Sequence, residues 1–160
     1  MTLRGCMGIE SKDVRSWKKV YECDLENIII ELKEAIADNS VIILSGVVGA
    51  GKTTFTKKFI GDSEQAMSPT YSIINDSGDV VHADFYRLES RDDIIHLEIP
   101  LYLEGKKYFL VEWGIDYAYD IAREVGDNFK FYELEITVND LKDEKQDTAT
   151  RNVFLKSLQI

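Results

Sequence analysis

Val41-Ile42-Ile43-Leu44-Ser45-Gly46-Val47-Val48-Gly49-Ala50-Gly51-Lys52-Thr53-Thr54-Phe55 decides the reading of this chain. An unbroken apolar run leads into Gly46-x-x-x-x-Gly51-Lys52-Thr53, the pattern of a phosphate-binding P-loop in its required setting of buried strand, glycine turn and helix start. Gly46, Gly49 and Gly51 let the backbone turn tightly and aim its N–H groups inward at phosphate oxygens. Lys52 supplies a point charge for the outer phosphates, and the Thr53 hydroxyl can hold Mg²⁺. The helix that follows adds its free N–H groups and its dipole to the same anion. The stretch specifies a nucleotide-binding protein.

Working outward, residues 41 to 45 are apolar on both faces, as a central parallel strand requires. Before them, Trp17 to Cys23 is expected as a strand. Asp24 is expected to cap a helix carried by Leu25, Ile28, Ile29, Leu32, Ala35 and Ile36. After the loop, Phe55, Phe59 and Ile60 give the next helix its buried face, and Gly61 stops it. Tyr71–Asn75 and Val80–Asp84 flank Asp76-Ser77-Gly78-Asp79 and predict a hairpin, hence antiparallel strands beside the parallel ones. Residues 92 to 98 predict at most a short helix, interrupted by Pro100. Lys107–Glu112 is a further strand. Ile115, Ala118, Ile121, Ala122 and Val125 mark a helix closed by Gly126. Tyr132, Leu134, Ile136 and Val138 alternate as a half-exposed strand, and Val153–Leu155 is expected as a closing edge strand. The expected fold is α/β: a single P-loop domain over residues 16–160 with a mixed, mostly parallel sheet, flanking helices and an antiparallel hairpin. Residues 1–15, polar and unpatterned, are expected as an N-terminal extension.

At 160 residues the chain supports one sizeable core. No run approaches the roughly 18 apolar residues of a membrane span, and the start lacks a secretory signal, so a cytoplasmic location is expected. Cys6 and Cys23 lack metal-type spacing and are expected to be reduced. A formal charge of −10 opposes independent binding to nucleic acid, where phosphate neutralisation supplies most of the affinity.

Hydrolysis or transfer needs more than a P-loop: an acid for the metal and a group to orient the nucleophile. Asp84 ends the strand Val80-Val81-His82-Ala83, and Glu112 ends Tyr108-Phe109-Leu110-Val111. Parallel strand ends open onto the ligand crevice. Ser68-Pro69-Thr70 lies where a switch loop would place a hydroxyl near Mg²⁺ or the terminal phosphate. Trp113 either lines the site or is a buried aromatic. His82 and His96 receive no ligand role.

Four stretches in this order, the P-loop from Ser45 to Phe55, Ser68-Pro69-Thr70-Tyr71, His82-Ala83-Asp84-Phe85-Tyr86-Arg87-Leu88 and Val111-Glu112-Trp113, resemble the TsaE (YjeE-type) ATPases of bacterial threonylcarbamoyl-adenosine synthesis on tRNA. The resemblance implies a compact P-loop α/β domain that binds ATP and Mg²⁺ and hydrolyses ATP slowly. It implies action with the TsaD–TsaB pair, with tRNA met only through those partners. It implies that Gly46, Val48, Gly49, Ala50, Gly51, Lys52, Thr53, Thr54 and Trp113 surround the nucleotide. By the same resemblance Thr53, Asp84 and Glu112 serve the metal, Glu112 positions water, and Lys52 and Thr70 assist the chemistry. Val47 stands where the family usually carries an acidic residue.

The alternative is a small-molecule or nucleoside kinase using the same P-loop. Such enzymes clamp the transferring phosphate with several lid arginines. Of six Arg here, only Arg87, Arg91, Arg123 and Arg151 follow the P-loop, and no lid-sized insertion is present. A GTPase would need an Asn-Lys-x-Asp-type motif, which Val138-Asn139-Asp140-Leu141-Lys142-Asp143 does not supply. A scaffold that binds ATP without turnover is the remaining alternative.

Overall fold

Among the described residues seven strands hydrogen-bond into one sheet: β1 (Glu10–Val20), β2 (Ser40–Ser45), β3 (Ile74–Ser77), β4 (Val80–Asp84), β5 (Tyr108–Glu112), β6 (Lys130–Val138) and β7 (Arg151–Gln159). The computed structural model describes residues 8–61, 73–139 and 149–160. Across the sheet the order is β1-β7-β6-β2-β5-β4-β3. The pairings β6–β2, β2–β5 and β5–β4 are parallel, whereas β1–β7, β7–β6 and β4–β3 are antiparallel. Two antiparallel steps separate β1 from β6, so five of the seven strands point the same way. The sheet is mixed and mostly parallel by strand direction, with β3–β4 as its hairpin.

The central strand explains the layering. Side chains alternate between faces along a strand. Val41 and Ile43 therefore enter one core with Val81, Phe109 and Val111, while Ile42 and Leu44 enter the other with Leu110 and Leu134. Helices α1 (Leu25–Ala35) and α2 (Lys52–Ile60) cover the second face through Ile28, Ile29, Leu32, Phe55 and Phe59. Helices α3 (Arg91–His96), α4 (Ile99–Leu103) and α5 (Ala118–Val125) cover the first through Ile94, Ile99, Leu103, Ala118 and Ile121. Each fully buried aliphatic or aromatic side chain stabilises this sandwich by about 1.5–3 kcal/mol relative to exposure. Among the described residues no helix is long and apolar enough to cross a membrane.

Several expectations are corrected. β1 begins at Glu10, not Trp17, and its residues 10–15 pair with β7 rather than forming an extension. The strand is exposed over residues 10–16, so no hydrophobic alternation marks that part of it. Its ladder is joined by Trp17, whose Nε1 donates to Glu31 at 2.8 Å, and by an Arg15–Glu31 ion pair at 2.7 Å. Irregularities in the register between Asp13 and Arg15 and between Trp17 and Val20, with Lys19 at φ 53°, interrupt the open edge in the way that blunts strand-to-strand association.

β7 is longer than expected and lies between β1 and β6, so it closes no edge. Pro100, expected to interrupt, sits in the first turn of α4, where its missing N–H would lack a helical partner anyway. Asp24 precedes α1, but its carboxylate accepts the Tyr21 N–H at 2.9 Å and closes the preceding 3-10 turn instead. The hairpin's first strand runs Ile74–Ser77, and residues 71 and 72 lie outside the described residues. Cys23 is a free, exposed thiol.

Candidate nucleotide site

Between the end of β2 and the start of α2 the chain turns through Gly46, Gly49 and Gly51 at φ 147°, 82° and 109°. Gly46 also has no room for a side chain, because a Cβ there would lie 2.6 Å from the Ile136 carbonyl oxygen. The register of the parallel strands aligns the two acids with this loop. Leu44, at the end of β2, pairs with Glu112 on β5, and Glu112 pairs with Asp84 on β4. Glu112 and Asp84 thus emerge side by side at the sheet edge from which the loop springs.

Glu112 is buried, and both its oxygens are engaged. Oε1 accepts the Thr53 hydroxyl at 3.0 Å, and Oε2 lies 2.7 Å from His82 Nε2. Asp84 is half-exposed, with one oxygen accepting the Tyr86 N–H at 3.0 Å. Lys52 Nζ donates to the Gly46 carbonyl and, at 3.4 Å, to the Val47 carbonyl, and lies 3.8 Å from the Trp113 ring centroid. Burial pulls the Lys52 ammonium below the ordinary lysine range, while the Glu112 and Asp84 charges push the other way. Trp113 is half-buried at φ 59°, and its ring meets Tyr86 at a centroid distance of 5.2 Å.

These groups surround a cleft of about 460 Å³ whose wall includes Val48, Lys52, Thr53, Asp84, Glu112 and Trp113. A narrower slot of about 60 Å³, floored by Val20, Leu25, Phe55 and Ile136, adjoins it across Gly51, Thr54 and Arg151. Ala50 is buried and packs in the core, with its carbonyl accepting a bond from Arg151 Nε at 2.6 Å. Trp113 lines the cleft rather than the core interior. Ser68, Pro69 and Thr70 lie outside the described residues.

Two residues lining the cleft, Tyr86 and Arg151, and His82 buried behind Glu112 carry no site role in the sequence analysis. A signal existed for His82, since its two-residue spacing from Asp84 puts both on one face of β4. Arg151 arrives from a strand 101 positions beyond Ala50, and no local pattern announces it.

The donor set fits Mg²⁺: a hydroxyl and carboxylates are hard oxygen ligands. Among the described residues no group of three or more His, Cys, Asp or Glu could hold a metal by itself. Mg²⁺ needs no such cage, because it usually keeps water and takes one or two carboxylates together with phosphate oxygens.

A glycine loop joining a central parallel strand to a helix, with an acid from the next parallel strand on that helix's hydroxyl, defines an α/β protein of the P-loop class. The chain belongs to the TsaE family: the family model described as threonylcarbamoyl adenosine biosynthesis protein TsaE matches residues 21–149. It is similar to the tRNA threonylcarbamoyladenosine biosynthesis protein TsaE of Nostoc sp., with 34% identity over 122 residues that cover 68% of this chain and 75% of that protein. The protein of the same name from Bacillus subtilis is 40% identical over 94 residues, 54% of this chain and 58% of its own length. The crystal structure of Bacillus subtilis YdiB superposes with a TM-score of 0.48 at 24% identity, over 92% of this chain and 86% of the other.

Proposed function

We propose that the chain is a slow, Mg²⁺-dependent ATPase that acts in the cytoplasm, supporting the TsaD–TsaB pair in threonylcarbamoyl modification of tRNA adenosine. The observation that carries the reading is the 3.0 Å bond from Thr53 Oγ1 to Glu112 Oε1 beneath the glycine loop. It puts a hydroxyl and a carboxylate side by side where a nucleotide's outer phosphates would end. Mg²⁺, when bound, would neutralise charge developing on those phosphates.

In this reading loop N–H groups of residues 46–51, Val48 among them, hold the β-phosphate, while the Ala50 N–H closes the turn on the Val47 carbonyl at 3.0 Å, and Thr53 and Thr54 follow in the first helical turn. Lys52 leaves its carbonyl acceptors for the transferring phosphate. The base lies toward the apolar slot beside Thr54 and Arg151. The two acids share metal and water. With both oxygens of Glu112 engaged and Asp84 open to the cleft, the geometry favours Glu112 as the group that fixes Thr53 and the metal, and Asp84 as the one that orients the attacking water. Thr70 is proposed as an assisting hydroxyl on its motif alone. The charge of −10 supports contact with tRNA only through partner proteins.

Phosphate release from ATP, measured with the protein alone and then with TsaD–TsaB added, tests the reading. Weak release that changes with the pair is expected. Release indifferent to the pair would remove the pathway assignment. A phosphorylated acceptor without phosphate release would replace the ATPase with a kinase.

A further inference from the structure

We propose that His82 is the positioning residue of this site: its Nε2–H locks the carboxylate plane of Glu112 so that the other oxygen stays on Thr53. The inference rests on the Mg²⁺-ATPase reading and adds to it a residue that touches neither nucleotide nor metal.

His82 and Asp84 share one face of β4, and the β4–β5 register sets Asp84 opposite Glu112. His82 therefore stands one pleat below the acid pair, on the side facing α2. Both His82 and Glu112 are buried, at 7% and 3% exposure, so water does not readily replace either partner. Their contact is 2.7 Å, and the second Glu112 oxygen is 3.0 Å from Thr53 Oγ1. An ionised carboxylate only accepts, so this contact requires the hydrogen on Nε2.

The terminal torsion of a glutamate is broad, with no sharp staggered wells. One hydrogen bond from Thr53 leaves the carboxylate free to turn about that bond, whereas a second, from a ring fixed in the core, defines its plane. Partners standing behind a metal-side carboxylate act in this way, by orienting it, and their loss typically weakens metal affinity or activity about 10–100-fold. Thr53, on the first turn of α2, depends on that orientation for its own hydroxyl direction. His82 thus acts on the loop through two successive hydrogen bonds.

The test compares His82→Leu with His82→Gln in the full chain. The Gln amide nitrogen is as many bonds from Cβ as Nε2 of His and can donate from the same place. Nucleotide binding by calorimetry with and without Mg²⁺, and steady-state phosphate release, are both measured. For His82→Leu, kcat is expected to fall and the Mg²⁺ needed for half-maximal binding to rise, each about 10–100-fold. Affinity in the presence of a chelator and KM for ATP should stay within about threefold of the parent, and His82→Gln should restore both altered quantities to within about threefold.

If the Leu and Gln variants behave alike, or Mg²⁺ dependence is untouched in a folded His82→Leu protein, the inference is overturned. Should His82→Leu fail to fold, His82→Asn replaces it, since its amide is equally polar but one carbon too short. Equal Asn and Gln behaviour then overturns the inference. Absence of Mg²⁺-dependent binding and turnover in the parent protein would sink the ATPase reading, and the inference with it.

Discussion

Lys52 Nζ sits 3.8 Å from the centroid of the Trp113 ring while donating to carbonyl groups of its own loop. In this arrangement the loop lysine is held by the protein itself. A phosphate must draw it away, and the indole loses a cation from its face when that happens.

Nucleotide binding is therefore expected to change Trp113 fluorescence. Trp17, the other tryptophan, lies on β1 outside the cleft, so Trp113→Phe should abolish the response. Lys52→Ala should weaken ATP binding by about 3 kcal/mol, more than a hundredfold, by removing the charged donor. Calorimetry checks the affinity, and an unchanged value would remove Lys52 from the phosphate site.

Glu112→Ala should reduce turnover by about two orders of magnitude and raise the Mg²⁺ needed for half-maximal nucleotide binding by a similar factor, while binding in the presence of a chelator largely persists. Single-turnover phosphate release separates the two effects. Unaltered hydrolysis would show that Thr53 needs no acid behind it.

The Lys52 ammonium also makes stability depend on pH. Burial lowers its pKa in the folded protein below the ordinary 10.5, so between those two values the unfolded chain binds more protons. Stability rises with pH across that window, and the full burden of the buried charge is present at neutral pH. Lys52→Met, without nucleotide, is expected to melt higher than the parent at pH 7, with the difference closing as pH approaches 10.5. Thermal midpoints from pH 7 upward test this, and a constant difference would remove the lysine as its source.

Arg151 Nε holds the Ala50 carbonyl at 2.6 Å, and its stem lies against Gly51. Arg151→Met should leave the fold intact and weaken nucleotide binding about tenfold, equivalent to losing one charge-assisted hydrogen bond. Arg151→Lys should not restore it, because an ammonium cannot reproduce the planar donor. Full rescue by lysine would reduce Arg151 to a general positive charge.

The pairing of residues 10–15 with β7 gives a direct stability test. A chain lacking residues 1–15 should lose about 2–4 kcal/mol of unfolding free energy, from several ladder hydrogen bonds of about 1 kcal/mol each. Denaturant titration measures it, and an unaltered midpoint would mean that this part of β1 adds nothing.

What could be read in advance follows from how each feature is encoded. The central strand, the glycine turn and the two acid-tipped strands are written in contiguous residues, because burial on both faces and backbone turning leave local marks. The family was legible for the same reason. β1 was misplaced because an edge strand held by its ladder needs no apolar alternation. Pro100 misled because a helix's first turn tolerates what its interior does not. His82 and Arg151 act across strands, and their meaning exists only once the register is known.

Arg151 has one more consequence, in time rather than in space. It opens β7, the last strand of the described chain, which also separates β1 from β6. During synthesis the glycine loop emerges about a hundred residues before the side chain that steadies its Ala50 carbonyl. A nascent chain can carry every residue of the phosphate motif and still lack the finished cradle. The cradle is finished only when β7 joins the sheet, so a chain stopped before residue 151 would carry the motif without the contact that steadies it.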